Sequence, residues 1–253
     1  MAKKPVIKVQ NLVKKYKDFT AVNGISFEVY EGEIFGLLGP NGAGKTTTLE
    51  IIETLRDETD GNVEVLGHSI NKNPAKVKEQ IGIQLQSSGF YPNLTLVQLI
   101  KLFQSLYGTD GDPIELLKKV NLVDKQKALV NKLSGGQRQR FAIATTLINH
   151  PKIIFLDEPT TGLDPQARRN LWELIREIRK AGTTVVITTH YMDEAEFLCD
   201  RIGIMDEGKI IAIDTPENLI KNLLKNGFKR EKVVQEANLE DVFLSLTGKQ
   251  YRD

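Results

Sequence analysis

Apolar and polar positions alternate in Val6-Ile7-Lys8-Val9, and β-type runs recur at Ile25–Val29 and Ile34–Leu38, with Glu31-Gly32 as a turn between the last two. This part of the chain predicts strands of a sheet. The pattern then breaks at 39–44, where three glycines and a proline fall together, and Lys45–Leu55 resumes with helix-compatible residues. Ile81–Leu85 reads as another strand. From Thr95 to Tyr107, Leu96, Leu99, Ile100, Phe103 and Leu106 recur at helical spacing, and Pro113–Val120 continues the theme, so the middle third predicts a helical insert. Ile153–Leu156 and Thr184–Ile187 are continuous runs of the kind found in parallel strands covered on both faces. Between them Asp164 as N-cap, Pro165 at the first helical position and Gly182 as a stop delimit one helix. Sheet and helix thus alternate as in α/β folds, and no internal repeat divides the chain into tandem modules.

Composition narrows this picture. The 253 residues, 40% of them hydrophobic, suffice for one α/β core with an inserted subdomain. Lys and Arg total 34 against 33 Asp and Glu, so no net field gathers nucleic acid or anionic lipid. The lone Cys199 has no internal disulfide partner and suggests a reducing compartment. The N-terminus alternates as a strand does and carries no apparent secretion signal, and no apolar run approaches the roughly 18 residues a bilayer crossing needs. The expected location is cytoplasmic, with any membrane link passing through a partner.

The break at 39–46 carries chemistry. Gly39-Pro40-Asn41-Gly42-Ala43-Gly44-Lys45-Thr46 fits the P-loop pattern, with the required strand before and helix after. Glycines let backbone N–H groups converge on phosphate oxygens at the positive end of the following helix. Lys45 is expected on the β- and γ-phosphates and the Thr46 hydroxyl on Mg²⁺. The strand Ile153–Leu156 ends in Asp157-Glu158, as a Walker-B element does, with Asp157 holding Mg²⁺ through water and Glu158 placed to polarise an attacking water.

Leu133-Ser134-Gly135-Gly136-Gln137 decides among P-loop classes. Physically, Ser134 can N-cap a helix through Phe141, Ala144 and Leu147, and the glycines admit a phosphate to its first amides. The segment resembles the signature motif of the ABC ATPases. That resemblance implies an α/β fold: a P-loop NTPase (RecA-like) core with an N-terminal antiparallel β subdomain and an inserted α-helical subdomain. It implies an ATPase domain over 1–220, with the insert at about 87–150, and a short helical extension over 221–253. It also implies that chains pair head to tail, each signature closing the other's ATP.

Residue by residue, the nucleotide-binding set becomes Tyr16 on adenine, with Phe19 as a nearby substitute, then Gly39 to Thr47 of the loop, then Ser134, Gly135, Gly136 and Gln137. Gln86 resembles the Q-loop glutamine that touches Mg²⁺ or water, Thr161-Gly162-Leu163-Asp164 the D-loop, and His190 the switch histidine at the γ-phosphate. His68 and His150 are read as structural. The resemblance sets ATP and Mg²⁺ as cofactors, and integral membrane subunits and a second ATP-binding subunit as partners, with no nucleic acid. The chain would then be peripheral on the inner face of the cell membrane. The run Thr188–Glu196 and the tail 238–248 look like the multidrug, antibiotic and lipid exporter branch.

Soluble ABC ATPases that remodel nucleic acid or ribosomes are the alternative, but they carry tandem cassettes or large insertions for which the stretch from Thr46 to Ser134 has no room. A GTPase would need Asn-Lys-x-Asp, which Asn71-Lys72-Asn73-Pro74 and Asn131-Lys132-Leu133-Ser134 both lack. Phe90 and Tyr91, adjacent aromatics after Gln86, are expected at the surface that docks the membrane partner; the alternative is that both rings fold into the insert's own core.

Overall fold

The computed structural model describes residues 4–85 and 89–228. In chain order the elements are β1 (Pro5–Tyr16), β2 (Phe19–Tyr30), β3 (Ile34–Leu38), α1 (Lys45–Ile52), β4 (Asp60–Val65), β5 (His68–Ser69), α2 (Pro74–Lys78) and β6 (Ile81–Gln84). The helices α3 (Leu96–Tyr107), α4 (Pro113–Lys119) and α5 (Gly135–Thr146) lead to β7 (Ile153–Asp157), α6 (Pro165–Lys180), β8 (Thr184–Thr189), α7 (Met192–Leu198), β9 (Arg201–Asp206), β10 (Lys209–Asp214) and α8 (Pro216–Lys225). Two compact units divide the chain, Met1–Pro216 and Glu217–Asp253. In the second, the described helix places Ile220, Leu223 and Leu224 at helical spacing, and the tail segment 238–248 lies outside the described residues. No described helix is long and apolar enough to cross a membrane.

Two sheets build the first unit. A four-stranded antiparallel sheet has the order β2-β1-β4-β5, and a six-stranded sheet the order β10-β9-β3-β8-β7-β6. Within the second, β9, β3, β8, β7 and β6 run parallel and β10 returns antiparallel at the edge. All residues of β7 and of β8 are buried, which is why neither strand alternates in sequence. Phe27 of β2 stacks on Phe35 of β3 with ring centroids 5.3 Å apart, inside a core shared by both sheets. β1 and β2 run far longer than their alternating segments because register shifts interrupt the period-2 pattern along the pair.

The helix from Pro165 matches its sequence signals closely: the Asp164 carboxylate accepts from the Ala167 N–H at 2.8 Å, and Gly182 follows with φ 102°. His68, read from the sequence as structural, opens β5 just after the turn made by Leu66 and Gly67. The insert buries Leu96, Leu99, Ile100 and Phe141 between its helices. The expectation for the aromatics after Gln86 is half corrected. Phe90 packs its ring 5.1 Å from Phe141 and 6.4 Å from Phe103, so it belongs to the insert's own core, because both partner rings lie on the faces its helices turn inward. Tyr91 is 63% exposed.

Phe90→Ala is therefore expected to cost about 2 kcal/mol, below the range for fully buried aromatics because the ring is half-buried. Tyr91→Ala is expected to stay within about 0.5 kcal/mol. Urea unfolding of the two variants checks this, and equal costs would contradict the packing.

Candidate functional site

The site lies at the carboxyl edge of the parallel sheet, where β3, β8 and β7 are neighbours. β3 runs directly into the glycine loop. A side chain on Gly39 would meet the Met205 carbonyl at 2.1 Å, and Gly44, at φ 98°, lies equally close to the Ala21 carbonyl, 2.3 Å from where its Cβ would stand. The loop is thus pinned between β9 and β2 in a form only glycine allows. Gly44 leaves α1 without a side-chain cap, so the first-turn amides stay open to an anion. Lys45 is 4% exposed; its Nζ donates to the carbonyls of Gly39 at 2.8 Å and Pro40 at 3.0 Å.

β7 delivers the two carboxylates. The Thr46 hydroxyl stands 3.2 Å from both oxygens of Asp157, and the Thr188 hydroxyl also donates to Asp157. Burial holds the Asp157 carboxyl above its usual range, opposed by the bonds from Thr188 and Thr46. One residue on, Glu158 has φ 46°, a left-handed conformation uncommon outside glycine. It is kept there by its N–H, which donates to the Thr188 carbonyl at 3.2 Å and hydroxyl at 3.0 Å. Its carboxylate lies between two site residues: Oε1 is 3.5 Å from Lys45 Nζ and Oε2 is 3.3 Å from His190 Nδ1. The latter approach is close but not aligned as a hydrogen bond. His190, just past β8, rests against Tyr191 with centroids 4.1 Å apart.

A cleft of about 350 Å³ is lined by Tyr16, Phe19, Ala21, the loop residues Asn41, Gly42 and Gly44 to Thr47, and Glu158. Gly39, Pro40 and Ala43 belong to the same loop, and Asp157 and His190 join the group through Thr46 and Glu158. Tyr16 is 37% and Phe19 61% exposed. Gln86 lies outside the described residues.

None of the described residues lining the cleft comes from 134–137, nor is Asp164 among them. Ser134 instead forms a capping box with Gln137: the Gln137 N–H donates to the Ser134 hydroxyl at 3.3 Å, and the Ser134 N–H to Gln137 Oε1 at 3.0 Å. A Cβ on Gly136 would meet that of Ala167 at 3.0 Å, so its small size also serves the packing of α5 on α6. Sequence reasoning missed Thr188, one of three threonines in β8, and nothing in the local pattern marks it apart from Thr184 and Thr189.

The family model described as ABC transporter matches residues 22–161, more than half of the chain. The chain belongs to the ABC transporter family. It is 42% identical over 223 residues to the linearmycin resistance ATP-binding protein LnrL of Bacillus subtilis, covering 86% of this chain and 72% of that one. It is 40% identical over 221 residues to the Nod factor export ATP-binding protein I of Ralstonia nicotianae, covering 85% and 69%. Among solved structures it resembles the dimeric post-hydrolysis state of the ATP-binding cassette MJ0796 bound to ADP and Pi, with TM-score 0.74 and 30% identity over 83% of this chain and 98% of that one. This ABC ATPase is accordingly an ATP-hydrolysing enzyme, an ATP-binding subunit whose relatives serve resistance and export.

Behind the site, Glu53 is 2% exposed, and its Oε1 has no hydrogen-bond partner among the described residues. Burial, then the charges of Asp157 and Glu50, push its carboxyl up to about 8. The unfolded chain releases this proton near 4.5 and the folded one holds it to about 8, so stability falls as pH rises through that window and levels off above it. Glu53→Gln is expected to raise the Tm of the nucleotide-free ABC ATPase at about pH 8, with the gain shrinking toward about pH 5. A gain equal at both pH values in calorimetry would show that proton linkage is not its source.

Proposed function

We propose that this ABC ATPase is the motor of an export system: ATP draws two ATP-binding subunits together head to tail, hydrolysis releases them, and the cycle drives partner integral membrane subunits. The second ATP-binding subunit is another copy or a paralogue. The observation that carries this reading is the separation of two phosphate cradles in one chain, since the P-loop cleft takes no wall from Ser134–Gln137. A second chain would supply that wall, with Asp164 at the joint. The dimeric state of MJ0796 and the export role in the name of the Nod factor relative support it. The chain would sit on the inner face of the membrane, with Tyr91 as the exposed ring beside the partner. Residues 1–220 would carry the ATPase work and 221–253 an extension.

Within the site, Tyr16 stacks on adenine, Gly39 to Thr47 wrap the phosphates, and Lys45 meets the β- and γ-phosphates. Thr46 and Asp157 fit Mg²⁺: a hydroxyl and a carboxylate 3.2 Å apart are hard oxygen donors. No cluster of three or more acidic, His or Cys ligands occurs among the described residues, which suits an ion that keeps phosphate and water ligands. Mg²⁺, when bound, would neutralise charge on the phosphates, and Gln86 would be a further ligand to it. Glu158 accepts a proton from the attacking water, and His190 orients that water and the γ-phosphate.

Glu158→Gln should then retain ATP affinity, lose hydrolysis by roughly 10²-fold or more and accumulate an ATP-bound dimer, whereas Lys45→Ala should weaken binding itself. Turnover near normal in Glu158→Gln would remove its assignment as the base. Mixing Ser134→Arg with Lys45→Ala chains, each inactive alone, should restore one composite site. Full hydrolysis by a chain that stays monomeric in sedimentation would exclude the head-to-tail arrangement.

A further inference from the structure

We propose that Arg56 and Glu50 are positioning residues that clamp the Tyr16 ring at a set distance from the phosphate loop, and thereby decide how much the base adds to nucleotide binding. This rests on the reading of Tyr16 as the adenine platform.

The backbone alone holds Tyr16 loosely. It is the last residue of β1, paired with Phe19 across a tight turn in which Lys17 has φ 49°. The β1–β4 pairing stops at Val13 and Asp60, and the β1–β2 register shifts between Lys14 and Lys15. The hairpin tip therefore runs past β4, tied on that side by the Lys15 N–H, which donates to the Thr59 hydroxyl at 2.9 Å, and the Tyr16 ring beyond it takes no restraint from the β1–β4 ladder.

Side chains supply the missing restraint. The Arg56 guanidinium lies 5.5 Å from the Tyr16 ring centroid and Lys14 Nζ lies 5.2 Å from it, both within cation–π reach. Each cation is anchored in turn. Arg56 Nε donates to Glu50 Oε2 at 2.6 Å, and Lys14 Nζ donates to the Asp57 carbonyl at 2.5 Å. Glu50 stands on α1, the helix whose first turn forms the open end of the phosphate loop. After α1 the chain turns back at Thr54, φ 62°, and the Arg56 N–H donates to the Glu50 carbonyl at 3.1 Å. Base platform and phosphate cradle are thus fastened to one rigid helix. A nucleotide has a fixed covalent span between base and phosphates, so this separation is the quantity the site must hold. A planar guanidinium can stack on the ring and donate to the carboxylate together, which an ammonium cannot do as well.

The Arg56–Glu50 pair is partly exposed, at 38% and 27%, so its removal alters ring placement more than stability. Titration calorimetry with Mg-ATP and with Mg-tripolyphosphate, which has no base, separates the roles. Tyr16→Ala is expected to weaken ATP binding about fivefold or more, as loss of base stacking does. Arg56→Ala should weaken it about threefold, and Arg56→Lys and Glu50→Gln by less. Tripolyphosphate binding should stay unchanged in all four, and the double variant Tyr16→Ala, Arg56→Ala should bind ATP no worse than Tyr16→Ala. Equal losses for ATP and tripolyphosphate would make Arg56 a general attractor of anions and overturn the clamp. Additive losses in the double variant would overturn it too. A weakened Tyr16→Ala beside an unaffected Arg56→Ala would sink the clamp and leave the base platform standing; an unaffected Tyr16→Ala would remove the platform itself.

Discussion

The parallel pairing of β3, β8 and β7 is the constraint on which the rest of the site depends. Leu38 pairs with Thr189, and Asp157 with Thr188, so three strand ends finish level at one edge. The glycine loop, the two carboxylates and His190 each follow one of those ends. Ligands of open α/β sheets bind outside the carboxyl ends of the strands because loops leaving adjacent strands converge there. A slip of two residues in either pairing would move an entire group of the site by roughly two residues' rise, about 6.6 Å, out of reach of the others.

Level strand ends bring charges together in a nearly dry place, and their satisfaction shapes the local backbone. Lys45, Asp157 and Glu158 are all buried or nearly so, a situation that is costly unless each has partners. Lys45 finds loop carbonyls and Glu158, and Asp157 finds two hydroxyls. Glu158 reaches its place only through a left-handed φ, held by Thr188. Such strain persists where surrounding structure over-determines it, and here it aims a carboxylate at the loop lysine.

Several residues of the proposed site also cap or pack helices. Ser134 caps α5 and Asp164 caps α6, and Gly136 is small because α6 crosses it closely. An N-cap hydroxyl starts a helix without closing its first two amides to an anion, so the capping role of Ser134 and the proposed cradle do not compete. The same economy holds for α1, whose missing cap leaves room for an anion.

What could be read from the sequence was whatever depends on short spacing. The P-loop, the carboxylates ending a buried strand, the cap and stop of α6 and the apolar face of α3 each lie within one element and its flanks, so local sterics and periodicity reveal them. The order of the motifs also carried the family, which the matching residues 22–161 bear out. Contacts across long separations were not legible. Thr188 meets Asp157 only because β8 lies beside β7, Phe90 turns inward because Phe103 and Phe141 wait there, and β1 and β2 lengthen through register shifts that erase alternation. Tertiary structure alone decided these, because strand order and helix crossing are set by the burial of the whole core, and no local pattern records which neighbour a side chain will face.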